Sequence, residues 1–254
     1  MVLLKDLTAY LDDRLKVREF PGDVSNNGLQ VEGRREVRKA VFSVDASLAL
    51  FERAAERKAD FIFVHHGLSW GAEPRRLTGA TARRFGRLFE GGMSLYAAHL
   101  PLDAAPMFGN NAILADMIGL RGLQPFFRYD GADIGFSGEL EKPETLSVLR
   151  GKLEASLGCR ARSLGAPERS CRRVAVVSGG GGLESLEEAA SIGADLLLTG
   201  ELTHVMYHYA LESDVAVLAL GHYASETTGP RALMELVGAE FDLETEFVDI
   251  PTGL

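Results

Sequence analysis

The sequence predicts an α/β protein built from a duplicated unit, with mixed sheets covered by helices. Three observations predict it. Short apolar runs rich in β-formers alternate with segments of helical periodicity, the pattern occurs twice, and all six histidines lie in short stretches that follow such runs.

Each element has its own reason. Residues 4–15 read as an amphipathic helix, because Leu4, Leu7, Leu11 and Leu15 recur on one face. Pro21, Gly22, Asn26, Asn27 and Gly28 then punctuate a loop. AVFSV (40–44) and FIFV (61–64) are short, apolar and suited to buried strands. The helix-like stretch 47–56 between them completes a right-handed strand–helix–strand crossover. The stretch 125–137, with its glycines and aromatics, is the expected boundary between the copies. Residues 145–157 form a helix after Pro143 and Glu144, with Leu146, Leu149, Leu153 and Leu157 along one side. The polar, basic segment 158–173 is expected at the surface.

The repetition is the most informative feature. RKAVFSVDASLALFERAAERKADFIFVHHG begins at Arg38, and RRVAVVSGGGGLESLEEAASIGADLLLTGE begins at Arg172. At a constant shift of 135 from Val41 onward, Val41 meets Val176, Ser43 meets Ser178 and Ala59-Asp60 meets Ala194-Asp195. FIFV meets LLLT, which puts His65 and His66 opposite Gly200 and Glu201. Each copy continues into a further strand-like run, one ending near His99 and the other near His222.

Composition narrows the function classes. The 254 residues are 46% hydrophobic and 25% charged, a globular mixture that excludes disordered and collagen-like chains. The length suits one large domain or two small ones. With 36 acidic and 27 basic residues the net charge is -9, which argues against nucleic acid as a partner. Cys159 and Cys171 stand twelve apart, neither CxxC nor a disulfide framework, so reduced thiols in a cytoplasmic protein are expected. MVLLKDLTAYLDDRL lacks the unbroken apolar run of a signal peptide. No stretch approaches the roughly 20 apolar residues of a membrane span, so no membrane partner is expected.

The histidines fall in VHHGLSW, AAHLPLDAA, GELTHVMYHY and GHYASE. The carboxyl ends of strands in α/β sheets are where sites collect. Adjacent strand residues point to opposite sides, so His65 and His66 serve two metals, or one of them faces the core. His99 and Asp103 lie four apart across Pro101, which disfavours a regular helix; Asp103 either turns toward the strand end or caps the next helix. His222 and Glu226, also four apart, share a face if a helix starts there, or Glu226 is a capping or surface residue. His204 and His208 repeat the spacing, but Val205 occupies the glutamate position of HExxH, leaving metal ligation and supporting hydrogen bonding both open.

Together these donors suit zinc, iron or manganese, and the lack of thiolates disfavours a structural zinc site. His65, His66, Asp103, His222 and Glu226 supply three nitrogens and two carboxylates. That is too few to saturate two ions, so positions remain for water or substrate. The Ser178–Gly182 run reads as a tight turn or close packing, or as backbone N–H groups for a phosphate, without the lysine of a P-loop. No GxSxG elbow supports a hydrolytic triad.

NGLQVEG (27–33), VHHGLSWG (64–71), HLPLDAAPMFGNNAILA (99–115), GELTHVMYHYA (200–210), GHYASETTGPRAL (221–233) and FVDIP (247–251) occur in order across nearly the whole chain. With these motifs the sequence resembles the short bacterial form of the Nif-three-like dinuclear metal-centre family, the GTP cyclohydrolase type 2 homologues. The resemblance implies two similar, interlocked α/β domains. Residues 1–126 with 218–254 would form the first and carry most ligands, and 127–217 the second. It implies a ring-shaped homohexamer, and two divalent ions per chain (iron, zinc or manganese) on His65, His66, Asp103, His222 and Glu226, with Glu226 bridging. His99, Glu201 and His204 match motif positions at the cavity and become candidate catalytic residues. Ser225 stands where the family often has threonine, and Ser69 where an aromatic is common. The implied function is metal-dependent hydrolysis of a small, nucleotide-like or phosphorylated substrate. The same ligands would also serve a metal-storage, metal-delivery or regulatory scaffold, or an iron oxidoreductase.

Overall fold

Contacts in the computed structural model, which describes residues 1–71 and 76–254, gather into two units: Met1–Leu102 with Gly229–Ile250, and Asp103–Thr228 with Pro251–Leu254. The first unit opens with β1 (Val2–Leu3), α1 (Leu4–Leu15) and a 3-10 turn at Val17–Glu19. There follow β2 (Gly28–Val31), β3 (Glu36–Val37), β4 (Lys39–Asp45), α2 (Leu48–Glu56), β5 (Phe61–His66), α3 (Gly79–Gly91) and β6 (Ser94–Ala97). After α4 (Leu100–Ala104) come α5 (Asn110–Met117), β7 (Leu120–Tyr129), β8 (Ala132–Thr145), α6 (Leu146–Leu157), β9 (Arg162–Leu164) and β10 (Ser170–Val177). The second unit continues through α7 (Gly182–Ser191), β11 (Leu196–Thr199), α8 (Met206–Glu212), β12 (Ala216–Ala219) and α9 (His222–Ser225). α10 (Thr228–Phe241) and β13 (Glu244–Phe247) return the chain to the first unit.

The first unit is built on a five-stranded sheet ordered β13-β4-β5-β6-β2, parallel except for β2 at the edge. Its strands alternate faces, as the pleat requires. Val41, Ile62, Val64 and Leu95 pack with Leu50, Phe51 and Ala54 of α2 and Leu88 of α3. Phe42 and Phe63 stack at 5.4 Å, and Phe63 and Tyr96 at 5.9 Å. The four leucines expected on one face of α1 are all buried. Ser47 caps α2, its hydroxyl accepting from Leu50 N.

The second unit carries a six-stranded sheet ordered β7-β8-β10-β11-β12-β9, with β10, β11 and β12 parallel. Val174, Val176, Leu196, Leu198 and Leu218 pack against Leu114 and Ile118 of the α5 region and Leu146, Leu149 and Leu153 of α6. Thr145 caps α6 through Val148 N. Cys159 and Cys171 are both free thiols, and burial pushes the Cys171 thiol up to about 11. Among the described residues no helix is long and apolar enough to cross a membrane.

Three differences from the sequence reading have physical causes. Residues 125–137 are not a boundary loop: β7 and β8 form an antiparallel hairpin. Asp130 (φ 47°) and Gly131 (φ 91°) make its turn, both left-handed as a twisted hairpin favours. That pairing, Leu120 with Leu140 onward, draws 103–126 into the second unit, and β12 pairs with β11 there. The divisions therefore fall after Leu102 and Thr228 rather than after 126 and 217. The 158–173 segment is mostly exposed as expected, yet it holds β9, the start of β10 and the buried residues Ala161 and Cys171.

Both units contain the same strand pattern. The orders β4-β5-β6-β2 and β10-β11-β12-β9 correspond, each with an antiparallel edge strand. Pairing also corrects the repeat. Val41 sits beside Ile62, and Ala175 beside Leu197. Leu197 lies 135 positions after Ile62, whereas Ala175 lies 134 after Val41. The position matching Val41 by pairing is therefore Ala175, and one extra residue lies between β10 and β11. In the same way Ala97 beside Val64 and Ala219 beside Thr199 put His99 level with Gly221, not with His222.

Candidate metal centre

In the first unit, parallel strands deliver three imidazoles to one sheet end. β5 ends on His65 and His66, and His99 lies two residues beyond β6. His65 is fully buried, with Nδ1 2.9 Å from the Ala98 carbonyl oxygen. A carbonyl only accepts, so Nδ1 carries a proton, and in the neutral ring Nε2 then holds the lone pair. His66 Nδ1 lies 2.8 Å from Oδ1 of Asp45, its neighbour across the β4–β5 ladder. His99 Nδ1 lies 2.9 Å from Asp23 Oδ1.

Asp23 is held as firmly as the ring it holds. Its carboxylate also accepts from Ser25 N, Asn27 Nδ2 and Leu100 N, at 2.9, 2.8 and 3.0 Å. Burial pushes its pKa up, but the donors from His99 and Asn27 outweigh burial and hold it below the ordinary value. Asn27 Oδ1 in turn accepts from His99 N. Ring centroids are 4.5 Å apart for His65–His66, 5.1 Å for His65–His99 and 5.7 Å for His66–His99. Pleat alternation does not separate the first two. One ring nitrogen of each lies within 4.8 Å of the others, the spacing of a group that could hold a metal ion. Trp70 stands edge-on to His99 at 5.1 Å, its indole donating to Gly67 O.

In the second unit the donors are two carboxylates and an imidazole. Asp103 lies in α4, where Pro101 is accommodated in the first turn. Its buried Oδ1 accepts from Asn110 Nδ2 at 2.9 Å and Ser178 Oγ at 3.0 Å. His222 opens α9 and Glu226 follows it, so the four-residue spacing brings His222 Nε2 within 3.2 Å of Glu226 Oε1. His222 Nδ1 lies 2.7 Å from Glu201 Oε1. The Glu226 hydrogen bond, joined by Glu201 and opposed by burial, raises the imidazole pKa to about 9. Without a metal, His222 is a cation between two carboxylates.

The glycine run serves close approach. Gly179 has φ +59°, and a Cβ there would run into Glu226 Oε1. A Cβ on Gly200 would stand 2.6 Å from the Gly179 carbonyl oxygen. Gly179 N donates to Ser225 Oγ, which donates to the His222 carbonyl, so one hydroxyl ties the glycine loop to α9.

His204 occupies an exposed turn before α8, and His208 is exposed on that helix against Tyr207. Among the described residues neither joins a group with metal-binding spacing. Of the three expected catalytic residues, His99 lies in the imidazole group, Glu201 on His222, and His204 apart. Sequence reasoning missed Asp23, Asp45, Asn110 and Ser178, which hold the donors. The Asn27 motif marked the loop that supplies the first of these, without indicating its target.

The family Duf34/NIF3 (NGG1p interacting factor 3) matches residues 2–252. A Pyrococcus abyssi protein named GTP cyclohydrolase 1 type 2 homolog is 43% identical over 253 residues, covering 98% of this chain and 99% of its own. A protein of the same name from Archaeoglobus fulgidus is 44% identical over 251 residues, covering 99% of each. The crystal structure of a Thermus thermophilus protein matches all of both chains with a TM-score of 0.90 at 39% identity. Reduced HcgD from Methanocaldococcus jannaschii matches with a TM-score of 0.85 at 26% identity, covering 98% of each chain. Matched from residue 2 to 252 and more than two-fifths identical to full-length relatives, the chain belongs to the Duf34/NIF3 family.

Proposed function

We propose that the protein is a dinuclear metal-dependent hydrolase of a small, nucleotide-like or phosphorylated substrate. The observation that carries this reading is the way its donors are held. Three imidazoles have Nδ1 bonded to a carbonyl or carboxylate, and buried Asp103 and Glu226 add oxygen donors. Metal-ligating histidines are oriented in this manner, and nitrogen with carboxylate suits zinc, iron or manganese. The names of the relatives, GTP cyclohydrolase 1 type 2 homologs, favour a nucleotide-like substrate.

His65, His66, Asp103, His222 and Glu226 would hold the ions, Glu226 as the bridging carboxylate. Paired divalent ions supply Lewis acidity and activate water at neutral pH. Asp45 fixes the His66 ring, Glu201 fixes His222, and Asn110 with Ser178 keeps Asp103 in one orientation. His222 gives up its proton on becoming a ligand. The matching strand orders of the two units support the duplicated-unit reading. A ring-shaped homohexamer, tested by light scattering at micromolar concentration, belongs to the same proposal, and a stable monomer contradicts it.

Asp103→Ala and Glu226→Ala test the ligand set. Each is expected to lose metal, by elemental mass spectrometry, while circular dichroism stays native. Retention of both equivalents in both variants contradicts the set. Metal-loaded protein is then expected to turn over a member of a panel of nucleotides, phosphoesters and cyclic amides.

A further inference from the structure

We propose that Trp70 is a specificity-determining residue, a stacking platform that selects substrates carrying a planar heteroaromatic ring of purine size. The proposal deepens the hydrolase reading and rests on it. It narrows the substrate from any small phosphorylated compound to one with an aromatic base.

Trp70 is the only tryptophan of the chain, and it is 39% exposed. An indole that served packing alone would be covered, because it carries one of the largest apolar surfaces of any side chain. Its ring centroid lies 5.1 Å from that of His99 and 6.1 Å from that of His66. The exposed indole therefore borders the imidazole group. Its one polar atom is already used, since Nε1 donates to Gly67 O at 2.9 Å within its own loop. What the side chain offers a ligand is π surface and not a hydrogen bond.

The ring is held in place before any ligand arrives. Loop 67–71 is laced to Asn26 and to Gln30 of β2. Gln30 Oε1 accepts from Leu68 N at 2.7 Å and from Ser69 N at 3.1 Å. Asn26 N donates to Ser69 O at 3.1 Å, and Asn26 Nδ2 to Ser69 Oγ at 2.6 Å. Trp70 itself pairs with Ser25 in an antiparallel bridge. A Cβ on Gly67 would stand 2.6 Å from the Ala97 Cβ, so glycine lets the loop lie close against β6. A preorganised aromatic loses little freedom on binding. Stacking tolerates any base, because every base has a π-face. The platform therefore separates ring-bearing compounds from plain phosphoesters, and separates adenine from guanine hardly at all.

The test uses indole emission of the full chain, corrected for absorption by the added nucleotide. With a single tryptophan, the whole signal reports position 70. The probes are AMP, GMP and ribose 5-phosphate, and metal content is measured on the same samples by elemental analysis. AMP and GMP are expected to quench saturably and to bind about 10- to 100-fold more tightly than ribose 5-phosphate. By calorimetry, Trp70→Leu, which keeps apolar bulk without a π-face, should lose that advantage, and Trp70→Phe should recover most of it. Both variants should keep the metal content of wild type. Ribose 5-phosphate binding as tightly as AMP, or AMP binding with no change in emission, overturns the platform. So does unchanged AMP affinity in Trp70→Leu. Loss of metal from Trp70→Leu would make the indole a prop for the imidazoles and overturn its assignment as well. Any of these results in wild type that holds two metal ions leaves the hydrolase reading standing. Wild type that takes up no metal yet binds AMP through Trp70 overturns the hydrolase and keeps the platform.

Discussion

The two units carry the same run of parallel strands to level ends and finish them with opposite chemistry. Where the first unit has Asp45, His65, His66 and His99, the level positions of the second are Gly179, Gly200, Glu201 and Gly221. In the first unit the donors sit on the strand ends themselves. In the second, glycine lets the backbone close in, with Gly200 N and Glu201 N both donating to the Gly179 carbonyl. The donors there come from helical elements, Asp103 on α4 ahead of these strands and His222 with Glu226 at α9 after them. One scaffold thus supports side-chain donors directly in one unit, and in the other uses absent side chains to admit a buried carboxylate from farther along the chain.

Gly179→Ala should break this arrangement most severely. The new Cβ needs the space of Glu226 Oε1 and holds a left-handed φ, so a loss of about 3 kcal/mol is expected in chemical denaturation. Asp45→Ala, at the level position, should cost less than about 1 kcal/mol, because that side chain is partly exposed. Equal losses would dissolve the contrast.

The second unit's ion cluster also gives a pH signature in metal-free protein. The folded state raises His222 from its ordinary 6.5 to about 9, so folding favours the protonated form. Its contribution is complete below about pH 6.5 and disappears as pH rises through about 9. Denaturation at pH 7 and pH 10 should show the loss, and imidazole resonances should assign it to His222. A His222 resonance titrating near its ordinary value would remove this prediction.

Smaller effects sharpen the comparison. Asp45→Asn should weaken metal affinity about 10- to 100-fold in competition with a chelator, through the orientation of His66. Ser47→Ala and Thr145→Ala each remove a side-chain helix cap, one from each unit, and each should cost about 1 kcal/mol.

Much of this was legible in the sequence because it is local. The leucine stripe of α1, the apolar runs of β4 and β5, the helix after Thr145 and the four-residue His222–Glu226 spacing need only neighbours to be read. The hairpin of β7 and β8 is not legible in the sequence, because Pro125, Gly131 and Gly135 resemble loop punctuation, and only pairing shows Pro125 opposite Phe136, Gly135 opposite Phe126 and Gly131 in the turn. The one-residue slip in the repeat was hidden for a similar reason. Four successive glycines can absorb an insertion without any visible mismatch, and only the ladder register shows that one is present between β10 and β11. Asp23 lies 76 positions before His99, so no periodicity could link them.

The central claim is that the oriented imidazoles and carboxylates hold two metal ions. Elemental mass spectrometry on untagged protein purified without chelators tests it most directly. About two equivalents of iron, zinc or manganese per chain are predicted. Absence of metal, with no uptake when these ions are added back, would contradict it.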